Sequence, residues 1–332
     1  MRQIWFPKAG PPEVLEVREA PDPSPKPGEV RIVVEAAGVN FADVSARMGN
    51  YPDAPPFPMV VGYEVAGVID AVGEGVDRAR IGEPVLGMTR FGGYSTHVCV
   101  PAPAAVVRPA GLDAVHGAAI PVNYLTAWMM LRVMGRVEAG DRVLIHAAAG
   151  GVGLASIDLC RAAGAEMWGS AGTKKHGFIQ ERGVQHVLDS HSDQWPTEKM
   201  DLILDAIGGE SWTKGLVQLR AGGRLVCFGL SSGSTGDRPS KINFLKSALA
   251  IPWFKMTPLA LINENKGVLG VNMGHLWDET ERVTGWLRQL LDLWGRGEIR
   301  PHVHASVPFA EAAEAHRILH RRENIGKVIL VP

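Results

Sequence analysis

The chain has 332 residues, 46% hydrophobic and 21% charged, with a formal net charge of -1. That length exceeds what one hydrophobic core usually serves and predicts two domains. The near-zero charge argues against a nucleic-acid or anionic-membrane partner. Cys99, Cys160 and Cys227 stand far apart with no CxxC pair and read as free thiols in a reducing compartment.

"MRQIWFPKAGPPEV" meets Pro7 before a signal-length apolar run develops, so the cytoplasm is the expected location. The first third has the texture of antiparallel β. "EVRIVVEAAGVN" alternates around Ile32, Val34 and Ala36, and "EVAGVIDAVGEGV" and "GYSTHVCVP" repeat the pattern between turn signals. "PDPSPKPGEV" and "YPDAPPFP" read as rigid loops, because strands resume on both sides. A short helix is expected over "FADVSARM".

From about Pro121 the period changes, and "VNYLTAWMMLRVM" is helical. Strands are then predicted at Arg142–His146, Glu166–Gly169, His186–Asp189, Asp201–Asp205 and Arg224–Gly229. Helices alternate with them at Val152–Ala163, Lys174–Arg182 and Trp212–Leu219. Such alternation predicts a parallel sheet covered on both faces. The chain closes with a helix over Glu279–Trp294 and a strand–helix–strand unit ending at Pro332. "LKSALAIPWFKMTPLALI" is interrupted by Lys246, Pro252, Lys255 and Pro258, whereas a spanning helix needs ~20 mostly apolar residues. No transmembrane segment is expected.

In "HAAAGGVG", Ala148, Gly150 and Gly153 fall at the spacing of a dinucleotide fingerprint, with alanine replacing its first glycine. Gly150 admits the pyrophosphate to the backbone, Gly153 allows close helix–strand packing, and the helix N-terminus supplies N–H groups. A tight strand–helix turn without ligand has the same glycines. The preceding strand, the following helix and the run of βα units are the context that points to a cofactor. NAD sites carry an acid about twenty residues on, at the end of the second strand. Here Glu166 begins that strand, and Ser170, Thr173, Lys174 and Lys175 stand at its tip, which suits a 2′-phosphate and NADPH. Two lysines at a helix start are otherwise ordinary solvated surface.

"GVNFADVSARMGNYP", "PMVVGYEVAGVIDAVGEGV", "PVNYLTAWMML", "HAAAGGVG", "DLILDAIGGESW", "GGRLVCFG" and "NIGKVILVP" together resemble the medium-chain dehydrogenase/reductase superfamily. The likeness runs from about Ile4 to Pro332 and is strongest to its zinc-independent quinone oxidoreductase branch, nearest to homologues of the synaptic vesicle amine transport protein. It implies an α/β chain with a GroES-like β-rich catalytic domain (1–121 with 272–332) and a doubly wound Rossmann domain (122–271). It also implies cleft-bound NADPH and a homodimer joined through the Rossmann sheets, for which "KGVLGVNM" is a candidate edge strand. The expected cofactor contacts are Asn40, Thr126, Ala148, Gly150, Gly151, Val152, Gly153, Ser170, Thr173, Lys174, Lys175, Ser190, Ile207, Phe228, Gly229 and Asn324.

Zinc enzymes of the superfamily place a cysteine at Asn40, a histidine at Tyr63 and a second cysteine near the helix beginning "PVNYL"; none stands here. His302 and His304 alternate on one short strand without a second pair and read as surface residues. A metal-free site is therefore expected. Without a Lewis acid, alcohol oxidation is hard, while hydride addition to a quinone or conjugated enone needs only hydrogen-bond donors for the oxygen. Asn40, Tyr51 and Tyr63 are the expected catalytic residues. Asn40 equally suits an amide capping the next helix, the tyrosines packed rings, and Thr126 a helix hydroxyl bonded to the preceding turn. His146 reads as packing, and His275 lies where the family contacts the nicotinamide side of the cleft. Phe244, Trp253, Phe254 and Met256 are expected to wall a hydrophobic, planar substrate. Two other readings stand beside this one, an enoyl-thioester reductase and a low-turnover NADPH-binding protein.

Overall fold

The computed structural model describes residues 1–231 and 256–332. An N-terminal hairpin of β1 (Arg2–Trp5) and β2 (Glu16–Glu19) precedes a seven-stranded sheet. That sheet holds β3 (Glu29–Val39), β4 (Glu64–Val72), β5 (Pro84–Met88), β6 (His97–Pro101) and β7 (Ala105–Val107), joined antiparallel. The alternation read in the sequence is the burial pattern of β3: Val30, Ile32, Val34 and Ala36 are all buried. Helix α1 (Phe41–Arg47) follows β3 directly.

After the short α2 (Ala114–Gly117) and α3 (Pro121–Trp128), the second sheet begins. Its strands are β8 (Arg142–Ile145), β9 (Glu166–Ala171), β10 (His186–Asp189), β11 (Met200–Asp205), β12 (Leu219–Cys227) and β13 (Gly267–Gly270), all parallel. In space they run β10-β9-β8-β11-β12-β13. The order reverses between β8 and β11, which opens a crevice at the carboxyl ends of the strands. Leu144, Ile145, Leu202, Ile203, Leu204, Leu225 and Val226 are buried, as a sheet covered on both faces requires. The connecting helices are α4 (Gly151–Ala163), α5 (His176–Glu181) and α6 (Glu210–Gln218), with α7 (Pro258–Glu264) before β13. Strand β13 ends the sheet.

Helix α8 (Thr280–Gly295) buries Val283, Trp286, Leu287, Leu290 and Leu291 in a core shared by α3, α4 and Ala36, Ala66 and Leu86 of the first sheet. The chain then returns to the first sheet. Strand β14 (Val303–Pro308) and β15 (Lys327–Val331) pair in parallel around α9 (Ala312–His320), and β15 lies antiparallel on β3 with Val328 opposite Val39. That register brings Lys327 beside Asn40. His304 is exposed, whereas His302 is half-buried with its ring 4.7 Å from Phe178, so only one of the two is a surface histidine.

The aromatic wall expected at Phe244, Trp253 and Phe254 lies outside the described residues; Met256 is half-buried against the β11–β12 side of the core. No helix among the described residues is long and apolar enough to cross a membrane.

Candidate active site

The turn after β8 is shaped by steric contacts. Ala147 adopts φ +53°, unusual for a residue with a side chain. Ala148 is buried and donates its N–H to the Ser170 carbonyl at 2.9 Å. A Cβ on Gly153 would collide with the Ala147 and Ala148 carbonyls, and one on Gly151 with the Asn123 amide. Gly150 differs: the nearest atom to a Cβ there is the Ala147 carbonyl oxygen at 3.3 Å, and the space ahead is open. The first N–H groups of α4, from Gly151 through Val152 to Gly153, have no acceptor within the helix. These residues fit a pyrophosphate. The C-terminal tail crosses at the same place, where the Gly326 N–H donates to Ala149 at 2.8 Å and pairs Gly326 with Gly150.

Other predicted contacts ring the crevice. Ile207 is half-buried, and the Asp205 carboxylate accepts its N–H at 2.7 Å and that of Gly208 at 3.0 Å. Phe228 and Gly229 follow β12, and Phe228 donates its N–H to Asp205 O. The Asn324 side chain donates to the Gly326 carbonyl.

The tip of β9 is divided. Thr173 and Lys174 are exposed, while Ser170 is buried, its hydroxyl 3.1 Å from His146 Nδ1. Lys175 turns to the tail, donating to the Arg322 and Asn324 carbonyls at 2.7 Å each. Ser190 is exposed and meets β9 through its N–H to Ala171. Glu166, at the other end of β9, pairs with His186 at 2.8 Å.

The facing wall comes from the first sheet. Asn40 is 8% exposed and bonded to its neighbours. Its Oδ1 accepts from Lys327 Nζ at 2.7 Å and its Nδ2 donates to Glu64 Oε1 at 3.1 Å. Asp43 Oδ2 accepts both the Asn40 N–H at 2.8 Å and the Tyr94 hydroxyl at 3.0 Å. Burial pushes the Asp43 carboxyl up to about 7. Tyr63 packs between the rings of Tyr51 (6.3 Å) and Phe91 (5.3 Å). Its buried hydroxyl neighbours that of Tyr51 but makes no hydrogen bond of good geometry. Burial raises the phenol pKa of Tyr51 and drives that of Tyr63 far higher.

Beside Tyr51 the turn after α1 meets the segment that follows β13. Asp53 Oδ2 accepts from His275 Nε2 at 3.0 Å and from Asn272 Nδ2 at 3.3 Å. Thr126 is half-buried one turn into α3, its hydroxyl bonded to the Val122 carbonyl at 2.6 Å. His146 is buried, with its ring 5.2 Å from Trp195.

Sequence reasoning singled out neither Glu64, Lys327 nor Asn123. Glu64 was visible as the acid of "GYE", and Asn123 through its place in "PVNYL". Lys327 heads an apolar strand, where lysine reads as a solvated end. Among the described residues, no group of three or more His, Cys, Asp or Glu is gathered where it could hold a metal ion.

Two family models match the chain: an alcohol dehydrogenase GroES-like domain over residues 26–110 and a zinc-binding dehydrogenase domain over 182–330. The human synaptic vesicle membrane protein VAT-1 homolog is 37% identical over 329 residues, spanning 96% of this chain and 82% of its own length. Escherichia coli quinone oxidoreductase, solved in complex with NADPH, superposes with a TM-score of 0.86 at 27% identity over 100% of both chains. CurK enoyl reductase superposes at 0.83 and 25% identity over 99% of this chain and 98% of that one. With a GroES-like domain, a crevice of Rossmann strand order and this breadth of likeness, the chain belongs to the medium-chain dehydrogenase/reductase family of oxidoreductases and is quinone-oxidoreductase-like.

Proposed function

We propose that the chain is an NADPH-dependent reductase of quinones or conjugated enones that works without zinc. The observation that carries this reading is the donor set on the catalytic wall. At Asn40 and Tyr63, the positions of zinc ligands in the family's metal enzymes, stand an amide engaged by Lys327 and Glu64 and a buried phenol with a hydroxyl to spare. Near the start of α3 the Asn123 amide lies against Gly151. Neither a thiolate nor an imidazole is offered, so these residues do not suit zinc.

NADPH, when bound, supplies a hydride that a quinone ring or the β-carbon of a conjugated carbonyl accepts. The chain's own part is to bind, orient and donate. The glycine turn receives the pyrophosphate, and Thr173 and Lys174 provide donors and charge for a 2′-phosphate where NAD sites carry an acid. Tyr51 and Tyr63, whose phenols are protonated at neutral pH, donate hydrogen bonds toward the oxygen on which charge collects. Solvent supplies the last proton. The NADPH in the Escherichia coli relative supports the cofactor assignment. The same reading expects a small, planar, hydrophobic substrate and a homodimer joined at β13.

The test is oxidation of NADPH, with NADH alongside, against 1,4-benzoquinone, 9,10-phenanthrenequinone, an alkyl enone and crotonyl-CoA after exhaustive chelation. Turnover of a quinone or enone with NADPH supports the proposal. Turnover of crotonyl-CoA alone points to an enoyl-thioester reductase. Tight NADPH binding without turnover points to a binding protein, and activity lost on chelation sinks the zinc-free assignment.

A further inference from the structure

Lys327 and Glu64 enter no step above, yet their side chains form a fully buried ion pair, 2% and 0% exposed. Four stretches of chain converge on it. Glu64 opens β4, Lys327 opens β15, Asn40 joins β3 to α1, and Val122 lies in the first turn of α3. One carboxylate oxygen of Glu64 accepts from Lys327 and Asn40; the other accepts the Val122 N–H at 2.6 Å. Lys327 also donates to Asn40 Oδ1. Gly38 makes room, since a Cβ there would collide with the Glu64 carboxylate and Lys327 Cε.

A buried ion pair costs desolvation that its attraction seldom exceeds, so stability alone is a weak reason for one. This pair sets an orientation. The ammonium holds the amide oxygen of Asn40 and the carboxylate holds its nitrogen, so the amide cannot flip without placing like against like. Through Val122 the same carboxylate fixes the first turn of α3, where the neighbouring Asn123 abuts Gly151 of the cofactor turn.

We propose that Glu64 and Lys327 are positioning residues for the nicotinamide end of the cofactor, locking the Asn40 amide in one orientation and tying that wall to the glycine turn through α3. The proposal rests on the cofactor reading above.

The experiment compares wild type, Lys327→Met and the double variant Lys327→Met/Glu64→Gln, in which no buried charge is left unpaired. Binding of NADPH and of 2′-phospho-ADP-ribose, the same ligand without nicotinamide, is measured by calorimetry beside thermal melts and kinetics with 9,10-phenanthrenequinone. In the folded double variant, NADPH is expected to weaken about tenfold, the worth of one good hydrogen bond, with the fragment unchanged. The kcat should fall about 10–100-fold, as misplacement of reacting groups costs, with KM for the quinone nearly constant. If NADPH and the fragment weaken together, or neither weakens, the pair is merely structural and the proposal is wrong. Equal affinity of the wild type for both ligands also counts against it, because nothing then grips the nicotinamide. A wild type that binds neither overturns the cofactor reading and this proposal with it. Should this double variant not fold, Lys327→Leu/Glu64→Gln, which likewise leaves no buried charge unpaired, carries the same comparison.

Discussion

The glycine turn and the Glu64–Lys327 network are linked through α3 and are built in opposite ways. The turn takes His146 to Gly153 in sequence, and its design is steric: Gly153 is where a side chain cannot go, Gly150 where space is left. The network draws on positions 38, 40, 64, 122 and 327, and its design is electrostatic, a buried cation facing a buried anion. A defect in the turn should therefore show in ligand binding or local packing. One in the network should strand a buried charge and be felt throughout the fold.

Substitutions that separate the two behaviours sharpen the contrast. The largest expected effect is from Lys327→Met, which leaves Glu64 buried without its counter-ion and should cost about 3–5 kcal/mol of unfolding free energy in denaturant melts. Adding Glu64→Gln should restore most of that. If the single variant is as stable as wild type, the pair is not an electrostatic joint. In the turn, Gly150→Val should leave stability within ~1 kcal/mol while NADPH affinity falls about 30–100-fold, equivalent to ~2–3 kcal/mol. Gly153→Val, whose side chain meets two carbonyls, should instead lose about 1–3 kcal/mol of stability. Equal outcomes for the two glycines would erase the distinction between packing and ligand space.

That division also explains what could be read from the sequence. The βα units and the turn were legible because their signals are periodic and contiguous; the strand over His186–Asp189 has the bounds expected. The return of the tail to the first sheet was implied by the resemblance alone, since nothing in "KVILVP" names its partner strand. The network was illegible because residues that bond one another in it lie up to 287 positions apart. Lys175 shows the same limit at close range. Its position beside Lys174 suggests a shared role, yet its ammonium is held by carbonyls some 150 residues on, at Arg322 and Asn324.

The two lysines accordingly give a smaller test. Lys174→Ala should weaken NADPH about tenfold and leave NADH unchanged, as loss of one charge-assisted contact to the 2′-phosphate does. Lys175→Ala should affect both cofactors alike and modestly, by releasing the tail from the crevice. Affinities of both variants for both cofactors check this, and a Lys175 effect confined to NADPH would reassign it to the phosphate.

The smallest expected effect is in pH, where two buried groups of the first domain act with opposite sign. His316 is wholly buried between the rings of Phe6 (5.5 Å) and Tyr94 (6.1 Å), and burial, with Arg47 and His320 nearby, holds its pKa well below 6.5. The unfolded chain takes up this proton near pH 6.5 and the folded chain does not, so His316 loses stability as pH falls through that value. Asp43 does the reverse. Its pKa rises from 3.8 to about 7, so the folded chain binds the proton first, and stability is gained as pH falls from 7 toward 4. Between pH 7.5 and 5.5 each contributes about 1–2 kcal/mol, so Asp43 offsets His316, and the further histidines tip the wild type toward losing stability as pH falls. His146, His302 and His304 are also shifted down and add to the His316 side. Asp43→Asn should steepen the loss of stability on acidification, whereas His316→Phe, which suits the surrounding rings, should make it shallower. Melts of the three proteins across this range decide the matter. Parallel profiles would mean that neither group titrates as its burial demands.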